Sequence, residues 1–128
     1  DHFPLSITYN SIANCYLAKG EHTKAREYVI KAKNLIVHKM SKESYYYANA
    51  LISESRTYIV NDRVPEGDKR YYREILNEAL IIFRNLYKAD HADISKALHQ
   101  LSLSYFDMAE INQAILYLQE ALAIMVRL

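Results

Sequence analysis

Five histidines and a single cysteine are the side chains whose chemistry best suits metal binding or nucleophilic catalysis in this chain. The histidines are scattered, and no two have the i, i+4 spacing beside an acidic residue that a metalloprotease helix needs. No glycine-rich turn is present that would expose a nucleophile or cradle a phosphate. The sequence therefore predicts no catalytic residue, no metal site and no cofactor, and we interpret the chain as a non-enzyme. The five histidines are His2, His22, His38, His91 and His99.

The cysteine, Cys15, is a weak candidate for a functional thiol. A lone cysteine excludes an internal disulfide and cannot hold a metal ion by itself. Cys15 lies in an apolar stripe next to Tyr16, and a free cysteine in such a position behaves as a small apolar side chain. We therefore expect Cys15 to be buried.

Charge and hydropathy argue against two classes of partner. The chain has 16 basic and 15 acidic side chains, a formal net charge of +1, and no basic stripe of the kind that neutralises phosphates. No apolar run approaches the roughly 20 residues of a membrane span, and no secretory signal opens the sequence. The sequence thus predicts a soluble, cytoplasmic protein that binds neither nucleic acid nor membrane.

The elements that position the side chains come from an internal repeat. At an offset of 89 residues the first part of the chain aligns with the last, so that Tyr16 meets Tyr105 and Ala32 meets Ala121. A middle copy follows the first at an offset of 42 in its first half and 47 in its second half, and these two offsets together give the 89. Its extra residues fall within 61–68, which contains a proline and a glycine, as expected of a loop. A period of about 42 residues predicts a solenoid, whose copies bury their core against one another.

Two apolar stripes with the helical period occur in each copy, which predicts an antiparallel helical hairpin. Gly20 lies between the stripes of the first copy, where glycine can take the left-handed conformation that ends a helix, and Ala109 occupies the equivalent place in the third. Asp1 and Asp90 precede helix starts, where a carboxylate can accept hydrogen bonds from first-turn N–H groups. We predict helices at about 4–18, 21–39, 42–61, 68–88, 92–107 and 110–127.

The predicted fold class is therefore all-α, an α-α superhelix (solenoid) of three antiparallel helical hairpins. The repeats span about 1–40, 41–88 and 89–128 and form a single domain. The last helix ends on apolar residues where a solenoid normally carries a polar cap. We interpret the chain as a segment of a larger protein, in which further repeats or self-association through this helix cover the apolar residues. They are Leu122, Ile124, Met125, Val126 and Leu128.

The spacing of small and large residues resembles the tetratricopeptide repeat, whose consensus is Trp, Leu, Gly, Tyr, Ala, Phe, Ala. The first copy has Tyr9, Ile12, Ala13, Tyr16, Ala25, Val29 and Ala32 at these positions, and the third has Leu98, Leu101, Ser102, Tyr105, Ala114, Leu118 and Ala121. The middle copy departs from the pattern, with Glu54 in place of a core leucine and Tyr72 in place of a small alanine. Either its alignment is wrong or its hairpin packs atypically.

The long period is similar to that of the kinesin-light-chain-like subclass of this family. That subclass opens its repeat with His-Pro-Asp-Val, and the third copy here opens with Asp90-His91-Ala92-Asp93-Ile94. Ala92 replaces the proline, and the first copy has Pro4 one place late.

The resemblance implies a concave groove lined by the first helix of each hairpin, in which a protein or peptide binds. The groove positions of the family fall here on Asn10, Asn14, Asn49, Arg56, Lys96, His99 and Gln100. Asparagine and glutamine can both donate to and accept from the backbone of an extended ligand, and Arg56 and Lys96 can bind a carboxylate or phosphate. The alternative is that these residues form an ordinary solvated helix face.

The function predicted from these features is that of a protein–protein interaction scaffold that binds a peptide or partner segment in its groove. The alternative is a peptide-sensing regulatory domain that controls an attached effector or DNA-binding domain. An accessory repeat region on an enzyme such as a methyltransferase is a third interpretation.

Overall fold

The computed structural model describes residues 2–39 and 41–128, with side chains from residue 4 onward. The described residues form six α-helices and one 3₁₀ turn, Glu66–Asp68, and include no strand longer than an isolated bridge. The all-α solenoid of helical hairpins is thus confirmed. The helices are α1 (His2–Ala18), α2 (His22–Lys39), α3 (Tyr45–Arg56), α4 (Lys69–Tyr87), α5 (Ala92–Asp107) and α6 (Ile111–Arg127).

Small side chains let the helices within and between hairpins approach closely. The main contacts are within the pairs α1/α2, α3/α4 and α5/α6, and between neighbouring hairpins at α2/α3 and α4/α5. Ala13, Ala25 and Ala32 are completely buried in the first hairpin, and Ala114 and Ala121 are almost so in the third. An alanine at these positions leaves room for the facing helix, so the spacing of alanines in the repeat determines where two helices pack closely.

The turns of the first and third hairpins have the same backbone geometry. Gly20 has a φ of 79° and Ala109 a φ of 60°. At the first turn Gly20 N–H donates to Leu17 O over 3.0 Å, and at the third Ala109 N–H donates to Phe106 O over 3.0 Å. The left-handed turn predicted at Gly20 is confirmed, and the third hairpin forms the same turn with an alanine, whose Cβ is strained there.

We expect Ala109→Gly to stabilise the protein by about 1 kcal/mol, because glycine has no Cβ to strain in the left-handed region. The midpoint of urea unfolding should rise with an unchanged m value. Ala123→Gly, on right-handed backbone within α6, is the control and should lower stability. A loss of stability in Ala109→Gly as large as in the control would show that the turn is not strained.

The prediction of a helix at 42–61 was wrong at its end. α3 begins after Ser44, whose Oγ accepts from Tyr47 N–H, and it ends at Arg56. Asn61 and Asp62 have φ values of 53° and 63°, and they form a tight turn between paired residues 60 and 63. Asparagine and aspartate tolerate this left-handed backbone better than most residues. The helix therefore ends before Asn61 and Asp62, although the apolar pattern continues to this point. The extra residues of the middle copy form a loop, as predicted.

The prediction that Asp90 caps α5 was also wrong. The cap is His91, whose Nδ1 accepts a hydrogen bond of 3.0 Å from Asp93 N–H. The Asp90 carboxylate instead accepts a 3.0 Å hydrogen bond from Arg127 of α6, which lowers the pKa of Asp90. Asp1 lies outside the described residues. Long-range charge pairing thus determines the role of Asp90, and the sequence near α5 carries no sign of it.

The middle hairpin packs atypically around Glu54, which is 1% exposed. Its neighbours in the alignment, Ser55 and Tyr58, are buried as the offset of 42 requires, so the alignment itself is sound. Lys33 Nζ of α2 lies 2.6 Å from Glu54 Oε1, and Tyr58 OH donates to Glu54 Oε2 over 3.3 Å. Burial, followed by the Glu54 charge, raises the pKa of Tyr58 to about 12 and also raises the pKa of Tyr71. A buried ionic cluster takes the place of a leucine.

Candidate functional site

An open groove of about 530 Å³ lies between α3 and α5. Five of the seven predicted site residues line it, and α3 and α5 supply all five. They are Asn49, Arg56, Lys96, His99 and Gln100. The structure therefore brings together residues that are up to 51 positions apart in the sequence.

The other two predicted residues, Asn10 and Asn14, line a smaller cavity of about 280 Å³ between α1 and α3. Asn49 borders both cavities, so all seven predicted residues lie on one continuous concave surface. Arg56 crosses between the first two repeats as well, because its guanidinium donates to Asn14 Oδ1 over 3.4 Å. At this length the hydrogen bond is weak, and a ligand carboxylate would be a stronger acceptor for Arg56.

Apolar side chains form the floor of the α3/α5 groove. Ile52 and Phe83 are 8% and 2% exposed, whereas Leu103, which also lines the groove, is 36% exposed. Phe83 comes from α4, behind the groove, and groove positions taken from the first helices alone do not include it. An apolar floor with polar residues around it is the usual composition of a ligand site.

Two cationic residues that line the groove, Lys96 and Arg56, have hydrogen-bond donors available for a ligand. Lys96 is exposed and has neither a hydrogen bond nor an ion pair within the described part of the chain. Within the same part of the chain, Arg56 has only its weak hydrogen bond to Asn14. The imidazole of His99 is exposed beside them. An anionic group in the groove would therefore find donors that are not already committed.

The side-chain amides of Gln100 and Asn10 differ in their hydrogen bonding, because the oxygen of Gln100 has a donor and the oxygen of Asn10 has none among the described residues. Tyr72 OH donates to Gln100 Oε1 over 3.0 Å, so the Gln100 amide nitrogen is left to donate to a ligand. Asn10 Oδ1 is buried and accepts no hydrogen bond from the described residues.

Two acidic residues of the groove, Asp62 and Asp93, were absent from the predicted site. Asp93 accepts a 2.7 Å hydrogen bond from Tyr87 OH, whose pKa is raised by burial and by this bond. The ring of Tyr87 also stacks on His91 at 3.6 Å between centroids. Asp93 is therefore committed to the turn between α4 and α5, and it shapes the end of the groove without being free for a ligand.

Asp62 reaches the groove because the loop of the middle repeat is held against α5. Val64 N–H donates to Asp107 Oδ2 over 3.1 Å, and Lys69 Nζ donates to the backbone oxygen of Asp107 over 3.3 Å. Val64 is 4% exposed. The extra length of the middle copy was the sequence signal that could have placed this loop beside the groove.

Cys15 is exposed on the outer face of α1, so the prediction of a buried thiol was wrong. The side of α1 that carries Cys15 faces away from α2, and the helical stripe alone does not tell the two sides apart. In the described part of the chain, no group of three or more His, Cys, Asp or Glu residues is placed to hold a metal ion. None of the described helices is long and apolar enough to cross a membrane.

The stacked hairpins and the groove lined by their first helices define a helical-repeat solenoid. Two family models, both described as tetratricopeptide repeat, match residues 73–125 and 7–36. These matches together span more than half of the chain, which belongs to the tetratricopeptide-repeat family. Such repeats are generally protein–protein interaction modules and are typically non-enzymatic. No curated protein matches the chain.

Proposed function

We propose that the chain binds an extended peptide segment of a partner protein along the concave surface formed by α1, α3 and α5. The observation that carries the proposal is the α3/α5 groove of about 530 Å³, with its apolar floor and uncommitted polar rim. Asn10, Asn49 and Gln100 offer amides to the peptide backbone, and Ile52 and Phe83 offer a surface for an apolar side chain. The chain acts as a binding module and supplies no catalytic group.

Arg56 and Lys96 favour a ligand that carries a carboxylate or phosphate group. Neither side chain has an acidic partner among the residues that the structure describes. A charge-assisted hydrogen bond to such a group contributes about 1.5–3 kcal/mol when it forms. Asp62, at the edge of the groove, disfavours an anion in its own neighbourhood.

We expect Asn14→Ala combined with Arg56→Glu to weaken peptide binding by about tenfold or more, since each lost charge-assisted bond is worth about 1.5–3 kcal/mol. Peptides selected from a displayed random library on the unaltered protein supply the ligand, and fluorescence anisotropy measures the affinity. Lys24→Glu changes the same charge on the exposed side of α2 and is the matched control. Unchanged affinity in the double variant, with intact helical circular dichroism, would place the site elsewhere.

A second candidate function is that of a peptide-sensing regulatory domain. The Arg56 to Asn14 hydrogen bond supports it, because a ligand that takes Arg56 removes a polar link between the first two repeats. Small-angle scattering with and without the selected peptide separates the two functions. A change in radius of gyration on binding favours the sensor, and an unchanged curve favours the scaffold.

The proposal also covers the domain organisation, the cellular location and the family subclass of the chain. We propose a single domain of three repeats that acts in the cytoplasm as a segment of a larger protein. Membership of the kinesin-light-chain-like subclass is supported by the period of about 42 residues and by His91, which caps α5 at the start of its repeat.

A further inference from the structure

The insertion of the middle repeat brings an unpaired carboxylate to the α3/α5 groove. Asp62 is exposed and lines the groove, and its side chain has neither a hydrogen bond nor an ion pair with any described residue. Asp93, which also lines the groove, accepts its hydrogen bond from Tyr87. Of these two acidic residues, Asp62 is therefore the one whose charge is available to a ligand.

A two-residue turn with paired ends presents Asp62. Val60 N–H donates to the backbone oxygen of Arg63 over 2.7 Å, and Arg63 N–H donates back to that of Val60 over 3.1 Å. Asn61 and Asp62, between them, have φ values of 53° and 63°. Two successive residues with positive φ are typical of the tightest hairpin turns, in which asparagine and aspartate are favoured. The carboxylate of Asp62 thus extends from a backbone that hydrogen bonds hold on both sides.

The same loop is anchored to the end of α5. Val64, two residues after Asp62, is buried and donates its N–H to the carboxylate of Asp107 over 3.1 Å. Lys69 donates to the backbone oxygen of Asp107. Because Asp107 is the last residue of α5, Asp62 lies at the end of the groove where α3 and α5 both finish.

The unpaired lysine of the groove lies towards its other end. Lys96 is near the start of α5, eleven positions before Asp107. At about 1.5 Å per residue, the levels of these two residues are about 16 Å apart along the helix. Arg56 faces the stretch between them, since it stands opposite Leu103 in the repeat alignment. The groove is therefore cationic from Lys96 to Arg56 and anionic at Asp62.

The charge of Asp62 is not neutralised from within the groove. Arg56 lines the same cavity, but its guanidinium donates to Asn14 and forms no ion pair with Asp62 among the described contacts. Ile52, opposite His99 in the alignment, lies on the apolar floor between the levels of Lys96 and Leu103. A ligand along the groove thus meets a cation, an apolar surface and an anion in this order.

We propose that the groove selects peptides whose acidic side chain binds Lys96 and whose lysine or arginine binds Asp62, with an apolar side chain between them. The inference rests on the proposed function of peptide binding and deepens it. An extended chain advances about 3.3 Å per residue, so the two charges should be about five residues apart. A peptide with the two charges exchanged has to run in the opposite direction or meet like charges at both ends, which disfavours binding.

The test uses peptides selected from a displayed random library on the unaltered chain and resynthesised with acetylated and amidated ends, so that only side-chain charges remain. The selected sequences should be enriched in an acidic and a basic residue at the proposed spacing. Asp62→Asn removes the charge and keeps the turn, because asparagine also tolerates left-handed backbone. We expect it to weaken binding by about two- to fivefold in fluorescence anisotropy, as for an exposed ion pair, and the loss should shrink with added salt.

A peptide in which glutamine replaces the basic residue identifies the partner of Asp62. Asp62→Asn and the unaltered chain should bind this peptide equally well. Asp62→Lys should reverse the preference, so that a peptide with glutamate at this place binds more tightly than the parent peptide. Lysine can adopt the required backbone, since Lys88 has a φ of 57°. Lys96→Gln should be equally insensitive to loss of the acidic residue of the peptide.

Glu27→Gln is the matched control, because it removes the same charge from an exposed position of α2 outside the groove, and it should bind like the unaltered chain. Peptides that are weakened by Asn14→Ala with Arg56→Glu but not by Asp62→Asn would overturn this inference alone. An equal loss at Asp62→Asn for the parent and glutamine peptides would also overturn it, since Asp62 would then act only through the loop. Failure to select any peptide would overturn the proposed function as well.

Discussion

Lys33→Leu should lower the free energy of unfolding by about 3–5 kcal/mol, because it leaves the Glu54 carboxylate buried without its cation. The side chains of Lys33 and Glu54 are 16% and 2% exposed. A loss of this size is a large part of the roughly 5–15 kcal/mol that stabilises a typical domain. Urea unfolding followed by circular dichroism measures it. Glu54→Leu should cost less, since the partly exposed Lys33 ammonium can turn towards water.

The control for this prediction is the double variant Lys33→Leu with Glu54→Leu, which reproduces the Leu80 and Leu101 arrangement of the α4/α5 junction. An apolar replacement of both members of a buried ion pair is often neutral or stabilising. We therefore expect the double variant to be more stable than Lys33→Leu, with some loss from the hydroxyls of Tyr58 and Tyr71, which lose their acceptor. A double variant that is less stable than Lys33→Leu would contradict this account.

Tyr72→Ala should destabilise the protein by about 3–5 kcal/mol, although it restores the alanine that the first and third repeats have at this position. Tyr72 is completely buried, and it fills space that Ala25 and Ala114 leave to facing helices in their own hairpins. Removing the ring leaves a cavity, because the surrounding helices relax only in part. Thermal unfolding monitored by circular dichroism measures the loss.

Tyr72→Phe separates packing from hydrogen bonding. This variant keeps the ring but removes the 3.0 Å hydrogen bond to Gln100 Oε1, so we expect a cost of about 1 kcal/mol. If Tyr72→Ala were as stable as Tyr72→Phe, the hairpin would tolerate the family pattern and the atypical packing would have no energetic role.

The hairpins could be predicted from the sequence because helical packing depends on a periodic pattern. Small residues such as Ala13 and Ala121 are buried where the alignment places them. The burial of Glu54 could not be predicted in this way, because a carboxylate in an apolar stripe can be either buried or exposed. Its burial depends on Lys33, 21 positions away on another helix. The end of α3 was missed because the tolerance of Asn61 and Asp62 for left-handed backbone is a local preference that the helical period does not record.

The concave surface could be predicted in part, for a related reason. Positions on α3 and α5 share a groove because equivalent residues of a repeat line up in space, and this alignment placed Asn49 and Lys96 together. Asp62 could not be placed, because it reaches the groove from an insertion that the other repeats do not have. Phe83 was missed because it enters from behind, on α4, and only the packed hairpin shows that it reaches the groove floor.

Arg26 of α2 donates hydrogen bonds to Thr57 at the α2/α3 junction, and Arg73 of α4 donates one to Ser104 at the α4/α5 junction. Arg26, Thr57, Arg73 and Ser104 determine how one hairpin covers the next, and none of them lines the α3/α5 groove. The contacts that determine how hairpins stack are therefore largely separate from the groove lining, and Arg56, which donates to Asn14 across the first two repeats, belongs to both sets. Substitutions on the concave surface, other than at Arg56 and Asn14, are therefore expected to leave the spacing and tilt of the repeats unchanged.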